Sequence, residues 1–287
     1  MLEAHLFGRF QLHRYGQPIP GSSQQRVREL LAYLLLHPGQ AHERESLTDR
    51  LWGTAERPQR MLSQTLWLLR TWLPESHVFL HIEKQWICLE ESDLLSDVSE
   101  FRRIFREQEG LSGDQLSDTQ MQELQRASTM GRQALLLGWT PDWCLWERER
   151  LQDLALLALE KLMDYCLKTC QYDAGLAYGA ELLLLDSSRE STHVRMMRLH
   201  AAGGNIPGAL RQYQRCHDTL QTEFGVAPGA ALRALYSELS NTSGQLPHLL
   251  GEELQTINEL LYQVQSLLNN VHRILSKSPV EARTVSE

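Results

Sequence analysis

The sequence predicts a mainly α-helical protein with a small β component. Three observations lead there. The first 95 residues order themselves as short alternating strands, three helices of apolar periodicity, and a hairpin. Residues 96–245 carry helical periodicity almost throughout, with a self-match at an offset of 34. Near the end of the chain, apolar residues recur in alternating steps of four and three. The expected parts are a winged helix-turn-helix over 1–95, a tetratricopeptide-like helical domain over 96–245, a coiled-coil helix over 246–276, and a flexible tail over 277–287.

The opening "AHLFGRFQLHRYGQPIP" alternates apolar and polar residues and turns at Gly16 and Pro18, which reads as a hairpin or short meander. In "SSQQRVRELLAYLLLHPG", Leu30, Leu31, Leu34 and Leu35 share a helix face, Ser22 or Ser23 supplies an N-cap, and Pro38-Gly39 ends the helix. A second helix runs through "ERESLTDRLWG" to Gly53. After the loop "TAERP", a third extends from about Pro58 to Leu73, closed by Pro74. "VFLHIEKQWICLE" alternates through Val78, Leu80 and Ile82, then Trp86 and Cys88, about a turn at Glu83-Lys84-Gln85. Strands, three helices and a hairpin, in that order, are the plan of a winged helix, whose third helix enters the DNA major groove with the hairpin beside it.

The polar stretch "EQEGLSGDQLSDTQ" (107–120) is a loop or a helix start. Beyond it, "YDAGLAYGAELL" (172–183) lies over "IPGALRQYQRCH" (206–217), so that Tyr172, Gly175 and Leu176 match Ile206, Ala209 and Leu210. A period of 34, with small residues where paired helices approach, is the tetratricopeptide pattern. The last periodic segment places Leu250, Leu254, Ile257, Leu261, Val264, Leu268, Val271 and Leu275 on one seam. Leu at the a positions leans towards more than two strands. Either this helix self-associates or it folds back as a cap on the repeat domain.

Composition excludes several classes. Apolar residues make up 42% and charged residues 22% of the 287, a globular profile. No signal peptide or membrane span is legible, and a cytoplasmic protein is expected. The net charge of −8 argues against a generic polyanion binder. The charge is uneven: −1 over residues 1–95 (10 Lys/Arg, 11 Asp/Glu), −5 over 96–245 (15 and 20) and −2 over 246–287 (3 and 5). Cys88, Cys144, Cys166, Cys170 and Cys216 form no CxxC pair and read as small buried hydrophobes in a reducing compartment. The scattered histidines, His193 and His200 among them, lack the carboxylate that would complete a metal triad. There is no Gly-x-Ser-x-Gly elbow, P-loop or dinucleotide fingerprint, so neither an enzyme nor a cofactor is expected. Trp139, Trp143 and Trp146 form either core packing between domains or an aromatic cage. Trp52, Trp72 and Trp86 read as winged-helix core.

These motifs resemble a known family. "LFGRFQL…GQPIP…LLAYLLLHPGQ…RESLTDRLWG" looks like the winged helix of SARP-type bacterial transcriptional activators. "LWERERLQDL" (145–154), "LLLLDSSRESTHVRMMRLHAAGG" (182–204), "ALRQYQ" (209–214) and "TEFGVAPGAALRALYSEL" (222–239) resemble the bacterial transcriptional activator domain that follows it. The resemblance implies binding to repeated promoter sites and contact with RNA polymerase. It assigns the reader helix to Gln59–Leu73, the wing tip to Glu83–Trp86, and a polymerase-facing loop to Gly53, Thr54, Ala55 and Glu56.

On a helical wheel, Leu66, Leu69 and Leu73 fall within about 40° of Leu62. Arg60, Gln64, Trp67 and Thr71 lie opposite, with Ser63 and Leu68 at the edges. Arg reads guanine, Gln reads adenine, and apolar atoms meet the thymine methyl. Arg57, Arg60 and Arg70 provide positive charge with no acid in 57–73. His81 and Lys84 in the wing, and Arg26 and Arg44 at helix starts, are further phosphate contacts. Arg28 beside Glu29, and Arg44 between Glu43 and Glu45, also fit solvated ion pairs. An exposed Trp67–Leu68 pair departs from a polar reader face and leaves a second reading open: an adaptor that docks a protein there. The helical domain offers a concave seat for a protein or peptide, or serves to orient two winged helices.

Overall fold

The computed structural model describes residues 2–22, 24–90 and 94–241, so the expected coiled coil and tail (246–287) lie outside the described residues. It is mainly helical with two small sheets. The chain divides into two compact units, Met1–Arg195 and Met196–Glu287.

The first unit opens with the expected meander. Strands β1 (Leu2–His5), β2 (Gln11–Arg14) and β3 (Gln17–Pro18) pair antiparallel in sequence. Tyr15 and Gly16, both at positive φ, make the β2–β3 turn. Helices α1 (Gln25–Leu36), α2 (Arg44–Trp52) and α3 (Pro58–Trp72) follow, with the two-residue strand β4 (His42–Glu43) before α2. Val27, Leu30, Leu31, Leu34 and Leu35 of α1 are fully buried and form the centre of the core, on which α3 packs. Gln24, with no side-chain cap, begins α1; Ser22 Oγ instead accepts the Gln24 N–H at 3.2 Å.

The region after α3 differs in part from expectation. Pro74 stops α3, the Ser76 N–H donates to the Leu73 carbonyl at 2.9 Å, and the chain makes one helical turn, α4 (Ser76–Phe79), where Val78 was expected in a strand. Strands β5 (Leu80–Ile82) and β6 (Trp86–Leu89) then form the hairpin, and β4 adds to the far side of β6. Ile87 and Leu89 point into the core, which leaves Trp86 37% exposed beside the turn and not in the core. Strand β7 (Leu94–Ser96) returns to lie parallel to β1 and completes a sheet of order β3-β2-β1-β7.

The rest of the first unit is helical. Ser96 Oγ caps α5 (Asp97–Glu107) by accepting the Ser99 N–H. The 107–120 stretch holds a 3-10 turn (Gly113–Gln115), and capping boxes at Ser112 and Ser117 lead into α6 (Asp118–Gly131). The long α7 (Asp142–Lys168) packs on α6 and on α8 (Tyr172–Leu185), where Gly175 and Gly179 are buried. Glu160, buried on α7, accepts from Arg189 at 2.8 Å and lies 3.5 Å from Arg195.

The division between units falls within α9 (Glu190–Ala202). In the second unit, Asn205 Oδ1 accepts the Gly208 N–H and starts α10 (Ile206–Phe224), which begins 34 residues after Tyr172. Ala209 and Cys216 are fully buried on it. Gly225 ends α10 in the left-handed region at φ 69°, which explains the glycine of "FGVAP". A helix over 230–241 follows, and Tyr236 stacks on Tyr213 at 4.2 Å. Four cysteines are buried as expected; Cys170 is exposed.

Candidate nucleic-acid interface

Helix α3 is held by its apolar stripe. Leu62, Leu66 and Leu69 are buried on α3, as is Leu73 just beyond it, together with Thr65, which sits at the edge of the same stripe. Polar contacts set its rotation. Gln59 Nε2 donates to Thr48 Oγ1 of α2 at 3.2 Å, and Arg44 Nη2 donates to Ser63 Oγ at 3.3 Å. At the far end, Trp72 Nε1 donates to the Pro20 carbonyl at 2.9 Å, and Arg14 pairs with Glu75 at 2.8 Å.

Opposite the stripe, Arg60, Ser63, Gln64, Trp67, Arg70 and Thr71 are exposed. Trp67 is 64% exposed, whereas Leu68 is half-buried, so the expected apolar pair reduces to one exposed ring. Arg57, Arg60 and Arg70 make no ion pair among the described residues, and no acid lies between Arg57 and Leu73.

The hairpin and the start of α2 border this face. The Glu83 N–H donates to the Trp86 carbonyl at 2.9 Å, which closes a turn that exposes Lys84 and Gln85. The Arg44 N–H donates to the Gln85 carbonyl at 3.0 Å and ties the wing to the start of α2. Arg44 is therefore held to Ser63, not to Glu43 or Glu45. His81, expected as a phosphate contact, faces Glu90 at 3.3 Å, which opposes a second anion there. Arg26 is exposed in the first turn of α1. Among Gly53, Thr54, Ala55 and Glu56, only Ala55 is half-buried; its N–H donates to the Trp52 carbonyl at 2.9 Å. Trp86, read as core from sequence, is an added aromatic beside the turn of the wing. Its signal was its place next to the turn.

A second set of contacts was not foreseen. It joins the winged helix to the helices after it. Arg102 of α5 donates to the Leu36 carbonyl at the end of α1 and to Glu147 of α7 at 2.7 Å. Trp143 of α7 meets Tyr33 of α1 edge-on at 5.5 Å, and Trp139 lies 5.8 Å from Phe10. These two tryptophans pack between parts of the fold as expected, while Trp146 is 76% exposed, so the three form no cage. Residues 134–137 run beside 6–8, with the Leu136 N–H donating to the Leu6 carbonyl at 2.8 Å. The Leu6 and Phe7 N–H groups donate to the Asp97 carboxylate at 2.9–3.0 Å. Burial pushes the Asp97 carboxyl up, against the pull of those donors. His42, buried beside Tyr33 and His37, is lowered to about 4 by burial, then by His37 and Arg50.

Residues 96–240 match the model of the bacterial transcriptional activator domain. The chain belongs to that family. It is a SARP-type transcriptional regulator, as its motifs implied. Among solved structures it is similar to a chain of Mycobacterium tuberculosis EmbR in complex with a low affinity phosphopeptide, at 20% identity and a TM-score of 0.66. That likeness, one of fold, covers 84% of this chain and 65% of the other, so this chain spans just under two thirds of the solved relative. No curated protein matches. Among the described residues no group of His, Cys, Asp or Glu is placed to hold a metal, and no helix is long and apolar enough to cross a membrane.

Proposed function

We propose that this regulator binds repeated promoter sites through α3 and activates transcription by helping to recruit RNA polymerase. The observation that carries this reading is the outward face of α3: acid-free, with Arg57, Arg60 and Arg70 unpaired among the described residues. A helix is 10–12 Å across, and the major groove is about 12 Å wide. Arg60 and Gln64 approach base edges; Arg57, Arg70, Lys84, Arg26 and Arg44 approach phosphates. The loop Gly53–Glu56 faces polymerase. Leu250 to Leu275 join protomers on adjacent sites, and the helical repeats receive a protein or peptide signal. The protein acts in the cytoplasm, without enzymatic activity.

The exposed Trp67 ring favours a second reading, a winged helix that docks a protein partner. Fluorescence anisotropy of the full chain on promoter DNA, at low and near-physiological salt, separates the two. A reader loses affinity steeply with salt, by about 0.9 in log–log slope per phosphate contact. Arg60→Ala and Gln64→Ala then lose sequence preference. Binding that never exceeds the non-specific level, even at low salt, rejects the DNA reading and supports the adaptor.

A further inference from the structure

The outward face of α3 is less polar than its sequence suggests. Ser63 Oγ–H donates to the Gln59 carbonyl at 3.0 Å, and its oxygen already accepts from Arg44. Thr71 Oγ1–H donates to the Trp67 carbonyl at 3.0 Å. Both hydroxyl protons are engaged within the helix, so neither hydroxyl can donate to a base, and Thr71 offers its methyl beside an oxygen that can only accept. Trp67 lies one turn after Gln64 and one turn before Thr71, and so between them on one face. Leu68 borders it, half-buried. The middle of the helix thus offers an apolar strip about a 64%-exposed indole, with Gln64 and Arg60 on its N-terminal side.

The thymine C5-methyl is the apolar group that a base pair presents in the major groove. The indole has one polar group, its Nε1–H donor, and its carbon face has none, so a guanine or cytosine against that face would leave polar edge atoms unmatched, a mismatch worth about tenfold in affinity. We infer that Trp67 reads a thymine methyl, with Leu68 and the Thr71 methyl beside it, next to the base approached by Gln64. The inference rests on the proposed DNA binding and names the sequence class that α3 selects: a site whose centre is A·T, not G·C.

The test uses the full chain and sites selected from a random duplex pool. Each thymidine of a selected site is replaced in turn by deoxyuridine, which keeps the base pair and removes only the methyl. Affinity is expected to fall about fourfold at one or two thymidines of each half-site and to hold elsewhere. In Trp67→Ala, a surface change that leaves the core intact, that penalty disappears while the salt slope stays the same. Uniform tolerance of deoxyuridine overturns the inference, as does a penalty that survives in Trp67→Ala or a G·C-centred selected site. Selection of no sequence at all rejects the proposed function itself, a different result from sequence-specific binding that ignores the methyl.

Discussion

Replacing Arg102 by Leu tests the joint between the winged helix and the helices that follow. The Arg102 and Glu147 side chains are only 16% and 14% exposed, and their N···O distance is 2.7 Å. Deleting one partner of a buried pair strands the other and costs about 3–5 kcal/mol. Glu147 keeps Arg150 at 3.2 Å, but that guanidinium is 60% exposed and compensates only in part. The expected loss is therefore about 2–3 kcal/mol. The double variant Arg102→Leu/Glu147→Leu removes both buried charges, leaves the Leu36 carbonyl without its donor and deprives the exposed Arg150 of Glu147, at about 1 kcal/mol in all. Urea unfolding of the full chain measures both variants. The reasoning is refuted if the single variant loses less than about 1 kcal/mol, or if the double variant is no more stable than the single.

Other outcomes follow from the same fold. His42 stays neutral in the folded chain down to about pH 4, whereas an unfolded imidazole takes up its proton near 6.5. Stability present above pH 6.5 is thus lost between about 6.5 and 4, and His42→Leu should flatten that part of a melting-temperature profile; an unchanged slope counts against the assignment. Burial would raise the Glu160 carboxyl, but bonds from Arg189 and Ser191 and the charge of Arg195 hold it below its ordinary 4.5. Its contribution is present above pH 4.5 and lost as pH falls through the lower folded value, so Glu160→Gln should reduce acid sensitivity there, checked by acid titration of unfolding. Gly8 has φ +81°, and a Cβ there would clash with Gln133 Oε1, the far end of a flexible side chain. Gly8→Ala should cost about 1–2 kcal/mol in urea, and pairing it with Gln133→Ala should remove the clash but keep the backbone strain.

The face of α3 shows how far the sequence reaches. A 100° step per residue separates Leu62, Leu66 and Leu69 from Arg60, Gln64, Trp67 and Thr71, and burial follows that division. Apolar stripes are local, so a one-dimensional pattern contains them. The meander and the two helices starting at Tyr172 and Ile206 are local in the same way. Trp86 was misjudged because its alternation with Cys88 does not say which face of β6 the core occupies; β4, β5 and the buried Ile87 and Leu89 decide that. Leu68, at the edge of the wheel, was decided by packing in the same manner.

The sequence by itself determined the main helices and the hairpin, the winged-helix order and the charge-bearing face, because each depends on periodicity, turn residues and composition within a few turns of chain; it did not determine α4, β4 or β7. The tertiary structure alone decided the joint and the chemistry of the reader face. Arg102 meets residues 66 and 45 positions away, and Asp97 binds backbone 91 positions away. Such pairs leave no periodic trace, since they are fixed by where helices pack and not by spacing along the chain. The Ser63 and Thr71 hydroxyls look like base-reading donors in the sequence; only their folded rotamers, turned onto the carbonyls of Gln59 and Trp67, take those donors out of the surface around the indole.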